Sequence, residues 1–426
     1  MKLFQVCYKS IFLFLLFISI TRYVFADDLL PIEDDFDISE IVNDIESIET
    51  NSNDPQLPTI NSRAYVVIDR KSNTILVGKN ENQKKKMAST TKIMTALVVI
   101  EHVNLSDIVE ISKKAASTGG SRLGLKTGDK ITISDLLYGL MMRSGNDAAV
   151  ALAEYVAGSI SDFANLMNEK ANSLGLSNTH FVTPHGLDED EHYTTAYELA
   201  LLSNYAMNNE IFAKIVGTKN YTITINGYPK VLTNTNELLG VLNGVYGIKT
   251  GFTNGANRCL VTCCKRSNMD IICVVLGADT KKYRTTDSVK LIEYTFNNFT
   301  YVNIEEILSN YFEIWKREKF HTITIAKGVS NHLDITFEEL PYSSIPIRND
   351  LIDKLHVYIN YESNLNAPII KGTSIGTMTL ELEGTTIYYS NIFINTNIER
   401  KNVFDYLYYF YQNFSNIFNS ILEMER

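Results

Sequence analysis

Three short motifs in a set order constrain this chain more than any other feature: Ser89-Thr90-Thr91-Lys92, Ser144-Gly145-Asn146 and Lys249-Thr250-Gly251. A Ser-x-x-Lys alone is common by chance, but the three in this order are not. If Ser89 opens a helix, Lys92 lies one turn on along the same face, which sets an amine beside a hydroxyl. A serine hydroxyl is a poor nucleophile near neutral pH and must lose its proton as it attacks. If the three motifs serve one reaction, the fold must bring Ser89, Ser144 and Lys249 to one cleft.

Each motif also has a plain reading. Ser89 and Lys92 could be a helix cap followed by a solvated lysine. Ser144-Gly145-Asn146 is a set of turn residues between two helical segments; both readings fit if that turn points Ser144 and Asn146 into the cleft. Lys249-Thr250-Gly251 follows Tyr246-Gly247-Ile248, a short strand, and a strand edge can pair with an extended peptide. Gly251 would let that chain approach closely. A decoy, Lys126-Thr127-Gly128, lies between the first two motifs with no strand before it. Order and context select Lys249. For Lys92 to act as a base it must be neutral part of the time, which burial and a nearby charge such as Lys249 favour.

At 426 residues and 45% hydrophobic content the chain has room for two or three domains. Its formal net charge of -10 argues against nucleic acid as a partner and against attraction to anionic lipid. Lys2 and Lys9, the apolar run Ile11 to Ile20 and the small-residue site Val24-Phe25-Ala26 read as a cleaved export signal over 1–26. Residues 27–58 are acidic and lack Lys and Arg, as suits a solvated linker; the alternative is a short amphipathic helix around Ile38 to Ile48. Cys259, Cys263, Cys264 and Cys273 fall on two strands of one hairpin with no histidine at ligand spacing, so small buried hydrophobes are expected, with a disulfide as the alternative, rather than a metal site.

From Ala64 the pattern runs hairpin, helices, strands, helix. Ser89 opens a helical stripe, and further helices are expected over Ser134 to Met142, Asp147 to Val156, Ser161 to Leu174 and Thr194 to Asn208. Strands follow over Lys219 to Ile225, Gly247 to Lys249, Arg258 to Lys265 and Asp270 to Gly277, and a helix over Asp287 to Asn298. That order predicts an α+β domain over 59–300, with an antiparallel sheet packed by a helical subdomain. Alternating segments over 301–398 predict a small all-β domain. In 399–426, Leu407, Phe410, Tyr411, Phe414, Ile417, Phe418 and Ile421 recur at helical spacing, an amphipathic helix too short in apolar run to span a bilayer and fit to lie on a membrane surface, or to pack on its own module or a twin chain.

The motifs, with Tyr138-Gly139-Leu140, Thr179-His180-Phe181, Pro184-His185-Gly186-Leu187 and Thr194-Thr195-Ala196, resemble the D-alanyl-D-alanine carboxypeptidases, the low-molecular-mass penicillin-binding proteins. The resemblance implies a β-lactamase/transpeptidase-like catalytic domain. It implies that Ser89 attacks the bond between two D-alanines, that Lys92 takes its proton and that Ser144 assists. Asn146, Lys249, Thr250 and Gly251 would hold the substrate, with Arg284, ahead of the last helix, helping to bind its carboxylate; a surface arginine is the plain reading there. Backbone N–H groups of Ser89 and Phe252 would form the oxyanion hole. It implies no metal or cofactor, peptidoglycan stem peptides as substrate, β-lactam antibiotics as acylating inhibitors, and a place outside the cytoplasmic membrane with the tail on its outer surface. Phe252 departs from the His or Tyr that relatives often carry, and Asn254-Gly255-Ala256-Asn257 from a commoner small-residue turn. Two other readings share the motifs. A class A β-lactamase would need a loop glutamate, for which Glu189 and Glu191 are the candidates. A non-catalytic penicillin-binding sensor or wall-binding module would not need Ser89, Lys92, Ser144 and Lys249 intact.

Overall fold

The structure is a computed structural model that describes residues 37–49 and 56–424. The export signal and Cys7 lie outside the described residues. The chain divides into two compact units, one ending at Asn298 and the other beginning at Phe299.

The first unit is built on a five-stranded antiparallel sheet of β1 (Ala64–Asp69), β2 (Ile75–Lys79), β7 (Val245–Thr253), β8 (Asn257–Arg266) and β9 (Met269–Ala278). Their order across the sheet is β2-β1-β9-β8-β7. Between β2 and β7 come α2 (Lys92–His102), β3 (Ile108–Glu110), α3 (Lys113–Ser117), β4 (Lys130–Thr132), α4 (Ile133–Met142), α5 (Asn146–Ala157), α6 (Ile160–Ser173), α7 (Ala196–Met207), α8 (Glu210–Gly217), and the hairpin β5 (Asn220–Ile225) with β6 (Tyr228–Thr233). α9 (Lys281–Asn298) follows β9, and α1 (Ile38–Glu49) precedes β1.

The middle strands are buried over nearly their whole length because both faces are covered. Val66, Ile68, Ile272 and Val274 join the main core with α2, α4, α5 and α7. The intervening Tyr65 and Cys273 lie close enough to Asp287 of α9 for its charge to reach them. This two-sided burial explains why β1, β8 and β9 read as continuous apolar runs rather than alternating ones. The four cysteines among the described residues are buried thiols on β8 and β9 outside any disulfide; burial pushes Cys264 up to about 12, and Cys263 and Cys273 higher still.

The acidic stretch before β1 is not wholly extended. Ile38, Ile41, Val42 and Ile45 fall at helical spacing, α1 forms there, and Val42 and Ile45 are buried as it packs on α9. Asp287 of α9 then accepts hydrogen bonds from the backbone of Asn61 and from Ser62 N at 2.8 Å, anchoring the chain at its entry to the sheet.

The second unit holds β10 (Phe299–Asn303), α10 (Ile304–Lys319), β11 (Thr324–Ala326), β12 (Ile335–Phe337), β13 (Ser344–Arg348), β14 (Leu355–Tyr361), β15 (Asn364–Asn366), β16 (Ser374–Leu382), β17 (Thr385–Ile394) and α11 (Val403–Met424). Its largest sheet has the order β12-β17-β16-β14. α10 adds one helix to the expected strands: Ile304, Leu308, Phe312 and Trp315 at helical spacing fill a core with Met378, Leu380 and Ile392. On α11, Phe404, Tyr408, Phe410, Tyr411 and Phe414 are all exposed. Among the described residues no helix is long and apolar enough to cross a membrane.

Candidate active site

Ser89 lies in a 3-10 turn, Ala88–Thr91, and α2 begins at Lys92. The helix thus starts three residues later than the spacing predicts, yet the tight turn still sets both side chains together: Lys92 Nζ lies 2.9 Å from Ser89 Oγ. Lys92 is fully buried and Ser89 nearly so. Its Nζ also donates to Asn146 Oδ1 at 2.7 Å and to the His185 carbonyl at 2.8 Å. A buried amine is costly unless its hydrogens are placed, and here three oxygens surround it.

Ser144 is the turn between α4 and α5. It has φ of 56°, an unusual conformation for a residue with a Cβ, costing about 1–2 kcal/mol. Its Oγ is buried without a hydrogen-bond partner among the described residues. Asn146 opens α5; its amide nitrogen donates to Gly119 O at 2.8 Å, leaving its oxygen to Lys92. Asp147, whose role the sequence did not suggest, stabilises this corner. Its buried carboxylate accepts from the N–H groups of Leu123, Gly124 and Leu125 at 2.8–3.0 Å, holding the preceding loop against the turn.

The opposite wall is β7, an edge strand of the sheet. It runs on through Thr253, so the third motif lies within the strand rather than after it. Lys249 is buried and its Nζ donates to Thr250 O at 2.9 Å, while Thr250 Oγ1 shares a hydrogen with Thr235 Oγ1 at 2.9 Å. A Cβ on Gly251 would sit 3.1 Å from Ser89 N and 3.2 Å from Thr90 N, so any side chain there would push the strand and the nucleophile turn apart by a few tenths of an ångström. Phe252 is half-buried, with the Arg258 guanidinium stacked 3.9 Å from its ring centroid. The decoy Lys126-Thr127-Gly128 is an exposed turn ahead of β4.

Arg284 lies within the last helix of this unit rather than ahead of it. α9 begins at Lys281, six residues earlier than the apolar pattern predicts, and takes Arg284 into its first turn. The residue is buried, and its guanidinium pairs with Glu237, which also accepts from Thr285 Oγ1 at 2.7 Å. Burial pushes the Glu237 carboxyl up, but Arg284, Lys281 and the Thr285 hydroxyl outweigh it and hold it below its ordinary value. Arg284 is thus not a surface residue, and a substrate carboxylate would have to share its guanidinium with Glu237.

One loop, Thr183 to His192, touches both walls. Pro184 O accepts from Thr95 Oγ1 at 2.6 Å and His185 O from Lys92. Asp188 accepts from Thr253 Oγ1 at 2.7 Å and Gly255 N at 2.9 Å at the end of β7. Gly186, with φ of 87°, lies so close to the nucleophile turn that a Cβ would fall 1.9 Å from Ala88 O. Burial, with the charges of Lys92 and His192, lowers His185 to about 3; burial, with His180, Lys86 and Lys92, lowers His192 to about 3. Both rings are neutral at physiological pH. Glu189 and Glu191 are exposed. Among the described residues no group of three or more His, Cys, Asp or Glu is placed to hold a metal ion.

Residues 50–280 match the family model described as D-alanyl-D-alanine carboxypeptidase, and residues 312–400 match that of the penicillin-binding protein 5 C-terminal domain. The Bacillus subtilis D-alanyl-D-alanine carboxypeptidase DacF is 33% identical over 353 residues, 81% of this chain and 88% of that protein. DacC of Escherichia coli is 34% identical over 361 residues, 82% of this chain and 87% of that protein. Among solved structures, D-alanyl-D-alanine carboxypeptidase DacD from Francisella tularensis aligns with a TM-score of 0.67 at 26% identity, covering 82% of this chain and 96% of that one. Penicillin-binding protein 5 from Haemophilus influenzae aligns at 0.64 and 29% identity, covering 81% and 99%.

Proposed function

Because the chain belongs to the D-alanyl-D-alanine carboxypeptidase family of serine hydrolases, we propose that it removes the terminal D-alanine of peptidoglycan stem peptides through an acyl-enzyme on Ser89. The observation that carries this reading is the setting of Lys92. With two hydrogens given to Asn146 Oδ1 and His185 O, the third direction of Nζ faces Ser89 Oγ at 2.9 Å. That is the placement of a base for the serine proton.

The steps follow. Ser89 Oγ forms a bond to the penultimate D-alanine carbonyl carbon as its proton passes to Lys92. The oxyanion faces the backbone N–H groups of Ser89 and Phe252. The C–N bond then breaks, and the leaving amine takes a proton relayed through Ser144 and Lys249. Water hydrolyses the ester and restores the serine. The extended substrate adds to the free edge of β7, where Lys249 and Thr250 receive its terminal carboxylate and Asn146 its backbone. Arg284, paired with Glu237, would help to bind that carboxylate only by sharing its guanidinium. A β-lactam presents the same amide and carboxylate and would acylate Ser89. The class A β-lactamase reading is weaker, because the loop presents a carbonyl to Lys92 while Glu189 and Glu191 are exposed.

Export and a position outside the cytoplasmic membrane suit a peptidoglycan substrate. The exposed aromatic residues of α11 suit a membrane surface. Two measurements test these readings. An acylated D-Ala-D-Ala peptide should release D-alanine with native protein and none with Ser89→Ala; unchanged release by the variant overturns the nucleophile. Truncation after Lys401 should free the protein from sedimenting membranes with activity intact, and unchanged sedimentation removes the role of α11.

A further inference from the structure

His192 lies at the far end of the loop that touches both walls, and the residue is 2% exposed. Its Nε2 is 2.7 Å from Thr91 Oγ1, inside the first motif, between Ser89 and Lys92. The tautomer follows from the neighbours. Thr91 Oγ1 is 2.8 Å from Ala88 O, a carbonyl that only accepts, so the threonine hydrogen goes there. What Thr91 offers His192 is a lone pair, so Nε2 carries the ring hydrogen. Nδ1 then accepts from Val182 N at 3.0 Å. One neutral tautomer satisfies every contact, and a second ring proton would point at the Val182 N–H.

Ala88, at the end of this chain of bonds, has φ of 49°. A residue with a Cβ adopts that conformation at a cost of about 1–2 kcal/mol and stays there only if its surroundings hold it. The turn it begins sets Ser89. We infer that His192 is a positioning residue of the acylation step: its Nε2–H holds the Thr91 hydroxyl on Ala88 O, and this brace fixes the turn that keeps Ser89 Oγ within reach of Lys92. The inference rests on the reading of Ser89 as nucleophile. The groups facing the ring are Lys86 before the turn, Lys92 on α2, and His180 and His185 across the loop, with Phe181 edge-on at 5.8 Å. None of them offers a carboxylate to stabilise an imidazolium.

Two substitutions separate the brace from a merely structural role. His192→Asn carries an oxygen near the Nδ1 position, so it can still accept from Val182 but cannot reach Thr91. His192→Gln carries its amide near the Nε2 position, so it can donate to Thr91 while Val182 N–H goes unanswered. The readouts are the rate of acylation by a fluorescent penicillin at saturation, the non-covalent affinity preceding it, the melting temperature, and the nitrogen NMR shifts of the His192 ring. The expected results are an Nε2–H neutral ring from pH 8 down to pH 5, and a rate about 10–100-fold lower in His192→Asn with affinity unchanged, since small displacements of a reacting group cost that much. His192→Gln recovers most of the rate. Thr91→Val is slowed like His192→Asn, and the double variant is slowed no further, because both remove one link.

The brace is overturned if His192→Asn acylates as the native protein does, if the two His192 variants slow only in proportion to lost melting temperature, or if the double variant adds the two losses. A ring protonated on Nδ1 in the native protein overturns it without reference to activity. A native protein that takes no label at Ser89 overturns the nucleophile reading instead, and the brace then has no reaction to serve.

Discussion

In the unit ending at Asn298, Lys92, Lys249, Arg284, Asp147 and Asp287 are all at most 1% exposed. In the unit beginning at Phe299, the one buried polar residue among those described is Ser390, and Ile304, Leu308, Phe312, Met378, Leu380 and Ile392 make a core of hydrocarbon and aromatic rings. Desolvating a charge costs several kcal/mol unless partners answer it, so a core free of charges is the simpler solution for stability alone. The second unit adopts it. The first accepts the cost and answers it with named partners: Asn146 and His185 O for Lys92, three loop N–H groups for Asp147, Glu237 for Arg284, and Ser62 for Asp287. The charges are concentrated where a reaction needs placed groups, and the neighbouring strain at Ala88 and Ser144 occurs there too.

The contrast can be broken at several points. The largest effect is expected from Gly186→Ala. Its Cβ would meet Ala88 O at 1.9 Å and Thr91 Oγ1 at 2.6 Å, so the nucleophile turn must move. Acylation should fall about 100-fold or more, with far less loss in the melting of the second unit. A native rate would mean that the loop does not set the turn.

Next is Leu380→Ala, at the centre of the second core. It should destabilise that unit by about 2–5 kcal/mol and leave the acylation rate within about 2-fold of native, the reverse pattern. Domain-resolved melting together with labelling rates measures both. A large loss of acylation would show that the second unit takes part in the chemistry.

Acid should separate the units more gently. His185 and His192 have folded pKa values of about 3, below the ordinary value of 6.5. The unfolded chain therefore binds more protons below pH 6.5. The stability that these two neutral rings contribute to the first unit is complete above that pH and lost as pH falls toward 3, at up to about 1.4 kcal/mol per histidine per pH unit. His321, His332 and His356 of the second unit are exposed. Melting between pH 7 and pH 5 should lower the first transition more steeply than the second, and parallel slopes would contradict the buried neutral rings.

The motifs were legible because their information is local. Ser89 and Lys92 meet within one turn, and Ser144 and Asn146 share a corner whose residue types favour turns. Lys249 was separable from Lys126 because a strand precedes only the former. The long-range partners were not legible. Arg284 meets Glu237 across 47 positions, and no pattern along the chain pairs them. His192 meets Thr91 across 101, and its role depends on which ring nitrogen carries hydrogen. The α10 helix was present as Ile304, Leu308, Phe312 and Trp315 at helical spacing, but strand patterns on either side masked it. α1 shows the same tension: its composition suits a solvated linker, and only the spacing of Val42 and Ile45 marks the face that packs on α9.

The central claim is that Ser89, set against Lys92, is the residue acylated. The most direct test is mass spectrometry of the native protein after brief exposure to penicillin, with the adduct located by peptide mapping and its lifetime followed. The expected result is one added penicilloyl group, on the peptide that contains Ser89, absent in Ser89→Ala and lost only slowly. An adduct on Ser144 or elsewhere, or full labelling of Ser89→Ala, would contradict it.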